Sequence, residues 1–329
     1  MSFEIKDLVG LSKPLERLVE VVSGGIGAVS KPYLIRRTAD AKAYEIKAIA
    51  QAMADSQQLL THSEYEDGKI KVISPDPQSE GMPALSNRAT ARLQYQDLRQ
   101  QQNVEAVCAS AAEELEMESS VPVEKPEPEW VSRFMAISAD ISTEELQYLW
   151  GKILAGEIKK PGAYSLRTLD VLRNISKKEI ESFVKLGNYV LRSGEKVFYI
   201  DPTAFIFTKD AGLTFSEILA LKDAGLIFEV DLEFSFRAMT AGEMVNLIYG
   251  PLILLFEREK DTPKLASQVG ILTKVGAELL NLITIEPDME YASFVGKRFH
   301  ADGIKFAWAP IVQILGEQIQ FGNKTYIEL

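Results

Sequence analysis

Read as a pattern of apolar and polar positions, the chain starts with a helix. Leu8, Leu11, Leu15, Leu18, Val19 and Val22 recur at helical spacing over residues 3–22, with Lys6, Lys13, Glu16, Arg17 and Glu20 between them, which predicts an amphipathic helix. It runs into Gly24-Gly25-Ile26-Gly27, where glycines raise the backbone cost of a helix and predict a hinge or a close-packing point. Lys31-Pro32 can restart a helix, and Tyr33 to Leu60 contains neither Gly nor Pro. There Ala39, Ala43, Ile46, Ala50, Met53 and Leu60 form a heptad seam interrupted only by Gln57, the pattern of a long, alanine-faced coiled-coil helix. Residues 61–86, with Pro75, Pro77, Pro83, Gly68 and Gly81, read as a mobile loop. Asn87 to Met117 again lacks Gly and Pro, and Val104, Cys108, Ala111 and Leu115 predict a second long helix antiparallel to the first. Faces this thin need the first helix, a third segment or other copies of the chain to complete a core. A homo-oligomer with Ala39, Ala43, Ile46, Ala50 and Met53 at its interface is therefore expected.

Past residue 117 the pattern changes. Pro122, Pro126 and Pro128 among glutamates forbid a helix and favour an extended chain, so residues 118–129 are read as a linker between a helical region, 1–117, and a C-terminal domain, 130–329. Capping boxes at Ser142-x-x-Glu145, Ser176-x-x-Glu179 and Thr214-x-x-Glu217 each precede an apolar run and predict three helices. Gly225 ends the third, and residues 228–236 then alternate without a fault, placing Phe228, Val230, Leu232, Phe234 and Phe236 on one face of a strand. Leu252 to Phe256 reads as a more buried strand, Leu272 to Leu282 as a helix opened by Thr273, and Phe306 to Leu329 as paired strands around Gly316 and Gly322-Asn323. The fold class expected is α+β, mostly helical, with a C-terminal domain that resembles a winged helix.

Composition narrows the function. Of the residues 46% are hydrophobic and 25% charged, inside the globular norm. The net charge of −11 divides into 0 over residues 1–104, −6 over 105–128 and −5 over 129–329, which disfavours nucleic acid as a partner. The helix after Thr214 sets Lys222 against Glu217 and Asp223, where a DNA-reading helix needs basic residues. One cysteine, Cys108, and two histidines, His62 and His300, leave neither a disulfide framework nor a Cys/His metal site. No signal peptide and no apolar run of membrane-spanning length is present, so a cytoplasmic protein is expected.

Candidate chemistry is sparse. Gly25-Ile26-Gly27-Ala28-Val29-Ser30 lacks the third glycine of a dinucleotide-binding loop and follows a helix where that motif needs a strand. His62 beside Glu64, Glu66 and Asp67 has no ligand spacing, and Cys108 on an apolar helix face reads as a small hydrophobe. No enzyme, cofactor or metal is therefore expected. Lys31, Arg36, Arg37, Lys42 and Lys47 follow the apolar Leu15, Leu18, Val22, Gly24 and Gly27 stretch, as in an interfacial membrane helix, or else line a solvated helix face. The first reading makes those five residues membrane-acting and places the protein peripherally on the inner membrane when activated.

Glu145 to Ile158 (ELQYLWGKILAGEI) and Pro161 to Leu172 (PGAYSLRTLDVL) resemble a bacterial family catalogued as a domain of unknown function and seen in gammaproteobacteria and prophages. The same Leu-Trp-x-x-Leu-Leu-Ala-like helix and Ser-Leu-x-x-Leu-x-x-Leu segment are similar to abortive-infection alpha (Abi-alpha) proteins, with Ile153 in place of a leucine. That resemblance implies phage defence of the abortive-infection type, with the C-terminal domain sensing a protein partner such as a phage protein. A DNA-binding regulator and a soluble scaffold are the alternatives.

Overall fold

The computed structural model describes residues 12–26, 63–66, 69–72, 85–200, 213–230, 232–236, 240–261, 264–316 and 318–328, in two compact units, Met1–Ala163 and Tyr164–Leu329. The seam residues Ala39, Ala43, Ile46, Ala50 and Met53, and Gly27, lie outside the described residues. The α+β, mostly helical class holds, with nine helices and eleven strands among them.

The first unit contains helices α1 (Lys13–Ile26), α2 (Leu85–Leu115), α3 (Pro128–Ser138) and α4 (Glu144–Lys159), and a hairpin of β1 (Ser63–Glu66) and β2 (Lys69–Val72). The hairpin corrects the expectation of a loop over 61–86. SEYE and KIKV alternate, Asp67-Gly68 between them is a hairpin-turn dipeptide, and Glu64 pairs Lys71 in an antiparallel register. α1 packs chiefly on α3, with Leu18 and Val22 wholly buried. The Pro/Glu stretch lies inside this unit, fastened to α1. Arg17 donates to the carbonyls of Val123 and Glu124 at 3.2 and 3.0 Å, and Lys125 pairs with Glu20. The units meet in sequence at Ala163 and Tyr164, downstream of residues 118–129.

α2 buries Val104, Val107, Cys108, Ala111 and Leu115, so this stripe is used within the chain, chiefly against α4. A Cβ on Gly151 of α4 would lie 2.5 Å from Ser110 Cβ and 2.9 Å from the Ala111 nitrogen, so the helices touch backbone to backbone there. Beside the contact Trp130 stacks on Phe134 at 5.0 Å and Phe134 meets Trp150 at 5.3 Å. The Ser142 capping box does not form. α4 starts one residue later, at N-cap Thr143, which puts Glu145 at N2, and Ser142 Oγ instead accepts from Arg99 at 2.9 Å.

The second unit is an antiparallel sheet with helices α5 (Leu166–Asn174), α6 (Lys177–Gly187), α7 (Phe215–Asp223), α8 (Lys274–Leu280) and α9 (Met289–Arg298). Its strands are β3 (Leu191–Ser193), β4 (Lys196–Ile200), β5 (Leu232–Phe236), β6 (Met244–Tyr249), β7 (Leu252–Arg258), β8 (Leu265–Ile271), β9 (Ile304–Leu315), β10 (Gln318–Phe321) and β11 (Thr325–Ile327). They run β10-β9-β7-β6-β3-β4-β8-β5, with β11 also on β9. Nine paired strands exceed the short strand pair of a winged helix. The boxes at Ser176 and Thr214 both form, and Thr273 caps α8. β7 is buried on both faces, as its continuous apolar run requires, and Gly316, at φ +60, turns β9 into β10.

One polar clamp crosses this unit. Glu278 of α8, nearly buried, accepts from the backbone N–H and hydroxyl of Ser165 at 2.7 and 3.0 Å and from the hydroxyl of Thr168. The start of α5 thus takes its cap from a residue 113 positions away.

Two stability series test this packing by urea midpoint. Gly25→Ala and Gly151→Ala should each cost about 1–3 kcal/mol by overpacking, since Gly25 already lies where a Cβ would meet Val131 at 2.8 Å. Gly24→Ala, with open space around it, should instead be neutral or stabilising by about 0.5 kcal/mol. Glu278→Ala should cost about 1–3 kcal/mol, because the donors of Ser165 and Thr168 are left without their acceptor.

Candidate functional site

The residues that stand out for function gather where α7 meets the β5 end of the sheet. Thr214 starts α7 by accepting from the Glu217 N–H, while Glu217 accepts in return from the Thr214 N–H and hydroxyl, both at 2.7 Å. The other Glu217 oxygen accepts from Ser182 Oγ and Lys185 Nζ at 3.2 and 3.3 Å, which binds α7 to α6. The Thr214 N–H, then its hydroxyl, and in smaller measure Lys185 hold the Glu217 carboxyl down to about 2.

At the other end of α7 the backbone turns through Gly225, at φ +72, and is sewn to the start of α8. The Thr273 hydroxyl donates to Gly225 O at 2.6 Å, and a Cβ on Gly276 would sit 2.1 Å from Leu226 O. The chain then joins the sheet edge. Ile227 bridges Leu272, and the Phe228 N–H donates to Ile271 O at 2.9 Å.

Here the structure departs from the unbroken strand expected over 228–236. Ile227 lies opposite Leu272 and Leu232 opposite Val269, so five steps along one strand (232 − 227) match three along the other (272 − 269). Two extra residues bow out as a bulge. Phe234 and Phe236 stay buried, whereas Phe228, Val230 and Leu232 are 50, 66 and 49% exposed. These three and Ile227 form the wall of an open cleft of about 490 Å³ that Lys222 and Thr273 complete. Lys222 donates to the Glu229 carbonyl at 2.9 Å and so holds the bulge against α7, whose Phe215 and Leu219 are exposed one turn apart. The arrangement can bind apolar side chains and expose strand backbone. Among the described residues that line it, no nucleophile is aligned with a base.

The residues nominated from sequence fall elsewhere. Leu18 and Val22 are in the core of the first unit, Leu15 is half-buried beside them, and Gly24 is exposed. Cys108 is wholly buried, and desolvation, then Glu105, push its thiol up to about 12, in keeping with the small-hydrophobe reading. No group of three His, Cys, Asp or Glu able to hold a metal ion occurs among the described residues, nor any helix long and apolar enough to cross a membrane. In the Leu-Trp helix Gly151 serves the α2–α4 contact and the buried Trp150 meets Phe134 of α3, so that motif encodes packing. Sequence reading missed the cleft because alternation marks which face a residue shares, not where the cover over that face ends.

Glu217 has a testable pH signature. Its folded pKa lies below the ordinary 4.5, so the stability it contributes is complete above about pH 5 and is lost as pH falls toward 2. Thermal unfolding across this window should show the wild type losing more of its stability than Glu217→Gln. Parallel curves for the two proteins would remove Glu217 as the cause.

No curated protein and no solved structure matches the chain. Residues 87–295 match the family described as protein of unknown function (DUF2806) and make up more than half of the chain. The chain, whose Ser110–Gly151 helix contact and whose cleft both lie within that span, belongs to the DUF2806 family.

Proposed function

We propose that this protein is a non-enzymatic, self-associating binding protein, and that it serves phage defence of the abortive-infection type. The defence role is supported by the resemblance of residues 145–172 to Abi-alpha proteins. Self-association is supported by one observation above the rest. The β9–β10 hairpin extends past the last β7 partner of β9, Pro310, and there exposes Val312, Ile314 and Leu315 at 71, 51 and 50%. Ile311 to Phe321 holds a single charged residue, Glu317, in its sequence. Copies of this tip therefore bring one like charge each, Glu317, and exposed apolar residues this close together mark interaction surfaces. The occupant is a second copy of the chain.

The α2 stripe plays no part in this reading, because it is buried within its own unit. Val312 and Ile314 are exposed, so replacing them leaves the core intact.

Light scattering at micromolar concentration should give a mass above 36.6 kDa, and Ile314→Asp, which puts a charge in the contact, should lower the apparent association constant by about tenfold or more. A wild-type mass of one chain over a broad concentration range would overturn self-association. A phage challenge of cells with and without the gene reads the defence role: equal plaque counts and equal host survival would leave only the binding function.

A further inference from the structure

We infer that the two apolar surfaces of the second unit belong to one contact, in which the β9–β10 tip of one copy seats in the cleft between α7 and the bulge of the next copy. The inference rests on the self-association reading above and names the surface that receives the tip.

Separation within one chain comes first. The strand order places β9 six strand spacings from β5, roughly 29 Å at about 4.8 Å each, so tip and cleft of one chain stay apart and their meeting takes two molecules.

Shape and polarity match. Val312 and Ile314 are two positions apart on β9 and so share a face, and the hairpin register sets Ile319 of β10 opposite Ile314. One face of the tip is thus a row of branched aliphatic side chains. The cleft is the complementary concavity, about 490 Å³, with Phe228, Val230 and Leu232 exposed along its wall beside the buried Ile227. Pockets of roughly 300–1,000 Å³ with apolar linings are the sites that take up apolar groups. Covering either surface with the other removes both from water.

Charge selects the tip as occupant. Lys222 and Glu229 both line the cleft, so it carries both signs, and a strongly charged segment of either sign meets a like charge there. The stretch Ile311 to Phe321, with Glu317 as its single charged residue, avoids that conflict. Tip against tip brings a Glu317 from each copy to one contact, whereas tip in cleft brings one Glu317 to a contact that holds Lys222. The contact is of the head-to-tail kind, joining different surfaces of the two copies.

The test mixes two full-length variants, each damaged on one side only. Ile314→Asp spoils the tip and Val230→Asp the cleft, both at exposed positions. Alone, each should self-associate about tenfold or more weakly than wild type in light scattering. Mixed in equal amounts, they should form a two-chain complex with an association constant within about threefold of the wild-type contact, because the mixture pairs the intact tip of one variant with the intact cleft of the other. Val230→Asp associating as wild type does would overturn the inference and leave association through the tip standing. A mixture no tighter than its components would overturn it as well. A wild type with the mass of one chain at every concentration would remove self-association and this contact together. Thiol trapping reads the same contact without added charge. Ile314→Cys mixed with Val230→Cys and treated with a short bismaleimide should give a two-chain band on a denaturing gel, and neither variant alone should, since the native Cys108 is wholly buried. A two-chain band from either variant alone would set like surfaces together and overturn the inference, as would its absence from the mixture.

Discussion

Phe299 sits where phenylalanines from separate strands converge, 5.0 Å from Phe236, 5.8 Å from Phe256 and 6.1 Å from Phe234, and the second unit is arranged to cover that point. Phe198 stacks on Phe234 at 4.3 Å and Phe306 meets Phe256 at 5.1 Å, so four strands contribute rings to one cluster with Phe299, just after α9, against them. Rings at these separations in tilted and edge-on arrangements each add a modest amount beyond burial, and the cluster gives the sheet one face that must stay dry. The tyrosines extend it. Tyr249 donates to Asn188 O at 2.6 Å and accepts from the Asp288 N–H at 2.8 Å, which fixes the approach to α9. Burial pushes both the Tyr249 and Tyr291 hydroxyls upward, so they stay neutral hydrogen-bonding groups.

The same cover decides where the surface becomes sticky. Phe234 and Phe236 belong to the cluster and are buried. Phe228, Val230 and Leu232 share their alternation but lie on the bulge and the first residue of β5, past the point where the Phe299 cluster reaches. At the opposite end of the strand order β9 outruns β7 and its tip is uncovered in the same manner. The two ends differ in composition: Ile311 to Phe321 holds one charged residue, Glu317, in its sequence, whereas the β5 end sets Glu229 and Glu233 beside Lys222 and Lys264.

In the first unit backbone proximity plays the role that the aromatic cluster plays in the second. Gly25 lets α1 approach Val131 and Met135 of α3, and Gly151 lets α4 approach Ser110 of α2. Close approach lengthens the line of contact between the helices, so the small Cys108, Ala111 and Ala112 of α2 are buried along with Val104, Val107 and Leu115. The residues of the Leu-Trp helix therefore account for packing within this unit and not for an activity.

Local periodicity alone determined much of this chain. The helical repeat of Asn87 to Met117, the capping boxes at Ser176 and Thr214, the stop at Gly225, the buried run of β7 and the turn at Gly316 all follow from contacts within a few residues, and each stands as read. The β1–β2 hairpin was as local as these, and its signal was lost to the prolines that follow it. Other features were beyond any local reading. Ser142 lost its cap to Arg99, the start of α5 is capped by Glu278 from 113 residues away, and the nine strands take an order that no stretch of sequence spells out. The bulge is the decisive case, because alternation sets which face five apolar residues share, while burial depends on which distant ring lies over that face. The sequence by itself determined the elements and their faces; only the tertiary structure decided which of those faces were covered, since covering surfaces come from parts of the chain far apart in sequence.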